Sequence, residues 1–361
     1  MKLVKKTESR TARGGPRRKA SRSSLVALFA LGLTAAACTS GSSSSSTATT
    51  TSGSSSSQFV KINGPSNLRV AYFTAGTVNS YLTTENAATV STLEAHGASV
   101  TTFDSTFDPT AQYDQMQTAL ASGKYNAFIL MANASQPICP MVKAAIAKKI
   151  PVVTVIGAVC GLDYKNGAAA WYPGTLQAIP AQTPYWWDQF FQYIVNNTPQ
   201  GGQTAIFTGP PVVALTVNTD NAAKKILTGT KLQVVDESTT DYTPTTAFTV
   251  AEDVFRAHPN IKVVISNYSE VTTGVIAAAK AANIKNLTIY DVGGTQGVLP
   301  LITNGTVAMS AELEPAKFGV MSADALINYA EGKTVAHIVQ PLEPPAWITK
   351  ANVGQFVGVA Y

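Results

Sequence analysis

Short apolar runs alternate with helix-length stretches along most of this chain, and that alternation restricts it to folds built on parallel sheets. Residues 68–73 (LRVAYF), 99–103, 126–132 (NAFILMA) and 151–156 (PVVTVI) each have the length and composition of a buried strand. Between them, residues 80–96 close on Gly97. Residues 109–122 carry Tyr113, Met116 and Leu120 on one helical face and close on Gly123, and residues 140–149 stop before Ile150-Pro151. The pattern breaks over 159–183, where Gly161, Gly167, Pro173, Gly174 and Pro180 fall, and then resumes. Helices are expected over 184–196, 219–227, 246–257, 270–282, 296–304 and 315–331. Strands are expected over 203–207, 232–235, 261–266, 287–291 and 306–310. Such alternation requires right-handed crossovers and parallel sheets covered on both faces. At 361 residues the chain exceeds what one core usually serves, so the expected fold class is α/β with two doubly wound parallel-sheet lobes. Ligands of such sheets bind beyond the carboxyl ends of the strands, so the loops there are where function is sought.

The N-terminus has a separate purpose. Nine Lys and Arg residues precede the apolar run 25–37 (LVALFALGLTAAA), whose 13 residues span roughly 20 Å as a helix against a hydrocarbon core of about 30 Å. It is a signal-peptide core and not a membrane span. It ends in Ala35-Ala36-Ala37-Cys38, the pattern of a lipoprotein signal-peptidase site at which Cys38 becomes the acylated first residue. The alternative is ordinary cleavage after an Ala-x-Ala. Residues 39–57 hold 11 Ser, 5 Thr, 2 Gly and 1 Ala. They have nothing to bury and form a flexible tether. The organisation expected is a signal peptide over 1–37, a lipid-anchored tether over 38–65 and a body beyond it, outside the cell membrane.

Charge and motifs narrow the function. Of 26 basic and 21 acidic residues, nine and one lie within the first 37, so the remainder is slightly acidic. That argues against a nucleic-acid surface. His96, His258 and His337 stand apart without metal-ligand spacing, and there is no nucleophile elbow, P-loop or dinucleotide fingerprint. Adjacent carboxylates such as Glu252-Asp253 do not face one another on a helix. The chain is therefore not read as an enzyme, and it requires no cofactor or metal. Cys139 and Cys160 follow the third and fourth strands and are expected at one end of one lobe, where an exported protein favours a disulfide. Two buried thiols are the alternative.

The sequence over about 66–353 resembles the ribose-binding type of periplasmic binding protein, type I, which feeds ABC importers. Asn79-Ser80-Tyr81 is similar to the family's Asn-Pro-aromatic, and Phe103-Asp104-Ser105 with Pro109 and Gln115 to its second strand and helix. Residues 144–155 (AAIAKKIPVVTV), Ala257-His258-Pro259, Asn267, Tyr290-Asp291 and the late Ile348-Thr349-Lys350 with Asn352-Val353 extend the likeness. The resemblance implies lobe 1 over 66–177 plus about 313–338 and lobe 2 over 178–312 plus about 339–361. A three-stranded hinge joins them, with a ligand cleft between. It implies ligand contacts from Asn79, Tyr81 and Asn133 in the first lobe and Asn267, Tyr290 and Asp291 in the second. Glu312 would take the place of a hinge-side Gln. Two departures stand out: Ile156-Gly157 occupies the family's Asp-Arg, and Asn218 the position of a second-lobe Arg.

A sugar offers hydroxyls and C–H faces, which planar amides, carboxylates and aromatic rings complement. Asn79, Asn267 and Asp291 with Tyr81 and Tyr290 form such a set, although Asn and Asp at strand ends also cap helices. Asp104 reads as a cap. Trp186 and Trp187 read as packing surface with Phe190 and Phe191, and their helix starts near the cleft, which offers one indole to a ligand. The function expected is capture of a small polar molecule, a monosaccharide or polyol, by a monomeric binding protein that delivers it to an ABC permease. The same architecture also serves sensors that report to a membrane receptor or kinase and, less readily, surface enzymes.

Overall fold

The computed structural model describes residues 58–162, 169–339 and 346–361. The expected signal peptide over 1–37, the expected acylation at Cys38 and the tether expected up to residue 57 lie outside the described residues. Two parallel sheets organise the body. The first is built from β1 (Arg69–Thr74), β2 (Ser99–Asp104), β3 (Ala127–Leu130), β4 (Val152–Ile156) and β5 (Gln177–Pro180), in the order β2-β1-β3-β4-β5. Helices α1 (Ser80–Ala95), α2 (Pro109–Ser122) and α3 (Cys139–Ala147) make its crossovers. The second sheet contains β6 (Gly202–Thr208), β7 (Leu232–Thr239), β8 (Ile261–Ser266), β9 (Thr288–Gly293), β10 (Met309–Glu312) and β11 (Trp347–Thr349). Its order is β11-β10-β9-β8-β6-β7, with only β11 antiparallel to its neighbour. Around it lie α4 (Pro184–Asn197), α5 (Ala214–Leu227), α6 (Pro244–Ala257), α7 (Ser269–Ala281) and α8 (Leu299–Thr303). Helix α9 (Pro315–Ala330) returns to pack on α1, beside the first sheet. The expected α/β class with doubly wound parallel sheets is what the chain forms.

Local chemistry explains the boundaries. Asp108 caps α2 by accepting from the amides of Thr110 and Ala111, Pro109 opens the helix, and Gly123 ends it at φ 63°. The residues of β3 are all buried, as suits a strand covered on both faces. Trp187, Phe190 and Phe191 of α4 are fully buried and pack edge to face, which fixes that helix in the core. Gly319 of α9 lies so close to α1 that a Cβ there would meet the Glu85 carbonyl and Ala88. Gly274 of α7 makes the same kind of approach to α6.

Several sequence boundaries need correction. Strand β5 falls inside the stretch where the pattern broke and pairs Gln177–Pro180 with β4 at the edge of the first sheet. Residues 58–65, assigned to the tether, are docked: Phe59 and Ile62 are buried, and Phe59 packs edge to face on Tyr329. The Tyr329 hydroxyl donates to the Val60 carbonyl at 2.7 Å. These apolar side chains have surface to bury, which the Ser-rich segment lacks. Helix α5 begins at Ala214, five residues before the expected start. Among the described residues no helix is long and apolar enough to cross a membrane.

Cys139 opens α3, Cys160 follows β4, and the two form a disulfide with Cα atoms 4.5 Å apart. It ties together the loops that leave β3 and β4. Closing a loop of 21 residues stabilises by about 3 kcal/mol in the chain-entropy account. Cys139→Ala/Cys160→Ala is therefore expected to melt several degrees below the parent by circular dichroism, and reductant should lower the parent but not the variant.

Glu85 is wholly buried in α1, and neither carboxylate oxygen has a hydrogen-bond partner. Burial pushes its pKa well above the usual 4.5. The unfolded chain then releases this proton at lower pH than the folded one, so the Glu85 contribution to stability is greatest below pH 4.5 and declines as pH rises toward the folded value. Glu85→Gln removes that decline. Melting curves should coincide near pH 4, and the variant should melt a few degrees higher at pH 8.

Candidate ligand-binding site

Numbered within its own series, the first sheet has the order 2-1-3-4-5 and the second 2-1-3-4-5-6, so each has a topological switch point between its first and third strands. A cavity of about 70 Å³ lies where the two switch points meet. Ala75, Asn79, Tyr81 and Leu82 reach it from the β1–α1 region, Phe107 from the loop after β2, and Met131 and Ala132 from the end of β3. Ile156 ends β4, Gly157 follows it, and Gln182 follows β5. The second sheet supplies Val213, Ala214 and Leu215 after β6, Tyr242 after β7 and Tyr268 after β8, and Leu313 follows β10. Four of these wall residues hold left-handed backbone: Phe107 at φ 58°, Ile156 and Tyr242 at 66°, and Gln182 at 48°. For a β-branched Ile or a bulky aromatic this conformation is costly, and such strain concentrates where a side chain must be aimed.

The two sides of the cavity touch through hydrogen bonds. The Tyr81 amide donates to the Tyr268 hydroxyl at 2.8 Å, the Ser80 hydroxyl shares a 3.0 Å bond with the same oxygen, and the Ser80 amide donates to Glu270 Oε1 at 3.0 Å. Both amides belong to the first turn of α1, where no intrahelical acceptor exists. Phe107 and Tyr242 meet across the gap at 5.5 Å. The phenols stay neutral. Burial pushes Tyr242 up to about 12, against the hydrogen bond shared with Thr216 and the neighbouring Asn267 amide. Burial, followed by the Glu85 charge, raises Tyr81, and burial, followed by the Glu270 charge, raises Tyr268. Two polar wall atoms, the Tyr81 hydroxyl and Gln182 Oε1, are buried without any partner. Among the described residues no three His, Cys, Asp or Glu side chains gather as a metal site would require.

Comparison with known proteins decides the family. The family model described as periplasmic binding protein domain matches residues 70–334. The chain belongs to the periplasmic binding protein domain family. The ribose import binding protein of Bacillus subtilis is 23% identical over 239 residues, covering 66% of this chain and 74% of its own length. Among solved structures, an ABC transporter solute binding protein from Mycobacterium smegmatis with bound glycerol has a TM-score of 0.70 at 20% identity, covering 81% of this chain and 97% of its own. The myo-inositol binding protein of Caulobacter, bound to myo-inositol, has a TM-score of 0.69 at 14% identity, covering 82% and 97%. These likenesses establish the type I fold, and the family is one of binding proteins and not of enzymes.

Within this family member the structure divides the residues singled out from the sequence. Asn79 and Tyr81 line the cavity. Asn79 also caps α1, accepting from the Leu82 amide at 2.9 Å. Asn267 is fully buried beside Tyr242; it lies near enough to lower the phenol's pKa, yet neither amide atom reaches hydrogen-bonding geometry. Asn133 is turned inward, donating from its side chain to Ser105 at 2.8 Å and from its backbone to Gln112 at 2.9 Å. Asn218 lines a separate surface groove with Tyr185 and Asp188, and its amide donates to the Gln182 carbonyl at 3.3 Å. Tyr290 is buried at the α4 side of β9, sharing a 2.8 Å bond with Thr198. Asp291 is enclosed by hydroxyls from Ser269, Thr272 and Ser310. Glu312 is half-buried at the end of β10, beside the wall residue Leu313, and its pKa is raised by burial and then by Glu314. Trp186 and Trp187 pack in the core and neither lines the cavity. Asp104 does not cap α2; it accepts from the Thr106 amide at 2.7 Å and from Thr77 at 2.6 Å.

Motif matching missed Phe107, Gln182, Tyr242, Tyr268 and Val213–Leu215. One signal pointed to them: each follows the carboxyl end of a parallel strand.

Proposed function

We propose that this family member is an extracytoplasmic solute-binding lipoprotein, held to the outer face of the cell membrane through Cys38 and a flexible tether. On this reading it captures a small uncharged hydroxylated ligand, a monosaccharide or polyol, and presents it to an ABC importer. Lobe 1 comprises residues 66 to about 180 with 313–338, and lobe 2 the intervening residues with 339–361. The observation that carries this reading is the cavity at the meeting of two switch points, walled by loops from both sheets. Ribose import by one of the proteins named above, and the glycerol and myo-inositol bound to the others, support the ligand class. Ligand contacts are assigned to Asn79, Tyr81, Gln182 and Tyr242, with Asn267 behind Tyr242. A ligand has differential affinity for the closed arrangement because only there do both walls touch it, and the permease reads that closure.

Thermal-shift screening of the purified protein against monosaccharides, polyols, nucleosides and amino acids tests this. A true ligand at 100 times its dissociation constant adds about 2.7 kcal/mol, which amounts to about 5 °C for a body of this size. Stabilisation by amino acids alone, or none by any hydroxylated compound, would sink the proposal.

A further inference from the structure

Resting on that reading, we infer that the ligand is a deoxygenated one: a small uncharged alcohol or deoxysugar carrying few hydroxyls and a bare carbon edge. None of the 16 residues lining the cavity is charged, and most of its wall is aliphatic or aromatic carbon, from Leu82, Met131, Ile156, Val213, Leu215 and Leu313 among others. At about 70 Å³ the space is well below the several hundred Å³ of a typical small-molecule site.

The supply of hydrogen-bond partners is short. The Tyr268 hydroxyl is engaged by Ser80 and Tyr81, Asn79 Oδ1 by the Leu82 amide, and the Tyr242 hydroxyl by Thr216 at 3.4 Å. The Tyr81 hydroxyl and Gln182 Oε1 remain buried, on the wall and unpaired. They can serve a diol-like fragment. A hexose with a hydroxyl on nearly every carbon would bring more donors and acceptors into the cavity than the wall can match, and unmatched buried polar groups oppose binding. Anions are disfavoured as well, because the amides at the start of α1 already face Glu270 and Tyr268.

Isothermal titration calorimetry on the full chain in detergent, with matched pairs, tests the inference. The pairs are D-ribose and 2-deoxy-D-ribose, D-galactose and D-fucose, and glycerol and 1,2-propanediol. The deoxygenated member is expected to bind at least tenfold tighter in one or more pairs, with no pair reversed. Tyr81→Phe should weaken that probe about tenfold. Ile156→Asn, whose residue tolerates the positive φ at that position, should erase the preference by adding a polar partner. A smaller preference, or one for the hydroxylated member, overturns the inference and leaves the solute-binding reading intact. Binding by no member of any pair overturns the inference, and the thermal-shift screen then decides the solute-binding reading.

Discussion

Asp291→Ala is expected to destabilise this protein by about 3 kcal/mol or more, and to leave ligand affinity of the folded fraction within about twofold of the parent. The carboxylate is fully buried and collects the hydroxyls of Ser269, at 2.8 Å, Thr272 and Ser310. Those groups come from α7 and β10, so a residue of β9 ties the helix and the neighbouring strand together. Ser310 also accepts from the Gly294 amide at 2.9 Å, which extends the network into the turn after β9. Burial raises the Asp291 pKa, and the three hydroxyls oppose the rise without cancelling it. Truncation removes three hydrogen bonds to a charged group at about 1 kcal/mol or more each; it leaves the Ser310 hydroxyl without an acceptor and the Ser269 and Thr272 hydroxyls only the carbonyls of Val292 and Tyr268, at 3.3 and 3.2 Å. Asp291→Asn keeps an acceptor and should lose only about 1–2 kcal/mol. Differential scanning calorimetry with ligand titration checks both. A variant that melts like the parent but no longer binds would return Asp291 to the ligand-contact role that the family resemblance implied.

The contrast between Asp291 and Tyr268 shows what was legible in the sequence. Periodicity and caps locate elements because their causes are local: Asp108, Pro109 and Gly123 set α2 from within its own sequence. One element hidden from that reading, β5, is a four-residue strand ending in Pro180 and embedded among glycines and prolines, and its identity depends on pairing with β4; the three-residue β11 was hidden likewise. The site divides along the same line. Asn79 and Tyr81 were singled out because Asn79-Ser80-Tyr81, just beyond the first strand, resembles the family's Asn-Pro-aromatic, and both line the cavity. Tyr290 and Asp291 also belong to a parallel strand, but as neighbours they face opposite covered sides of β9, Tyr290 against Thr198 and Asp291 among hydroxyls from Ser269, Thr272 and Ser310, and those partners come from distant segments. Tyr242 and Tyr268 carry no motif. Their place on the wall follows from strand order, which appears only once the sheet is assembled.

Tyr268→Phe is expected to shift the unliganded protein toward an open arrangement by about tenfold in population and to weaken ligand binding by a similar factor. The hydroxyl accepts from the Tyr81 amide at 2.8 Å and shares a 3.0 Å bond with Ser80, so one oxygen of the second sheet's loops serves two groups of the first. With Phe the ring still packs edge to face on Tyr242, 5.8 Å away in the parent, and the change is confined to the polar contact. While the cleft stays shut, the Tyr81 amide is then buried without an acceptor, at a cost of about 1–3 kcal/mol. Opening admits water and removes that cost, so the penalty falls on the closed arrangement alone. A shift of 1.4 kcal/mol corresponds to a factor of ten. On the proposed reading the ligand needs both walls, so its apparent affinity falls with the closed fraction. Small-angle scattering should show a larger radius of gyration without ligand, and hydrogen exchange at the Tyr81 amide should accelerate. Unchanged scattering with unchanged exchange would mean that carbon packing, chiefly Phe107 against Tyr242, holds the walls together and that the hydroxyl clasp is incidental.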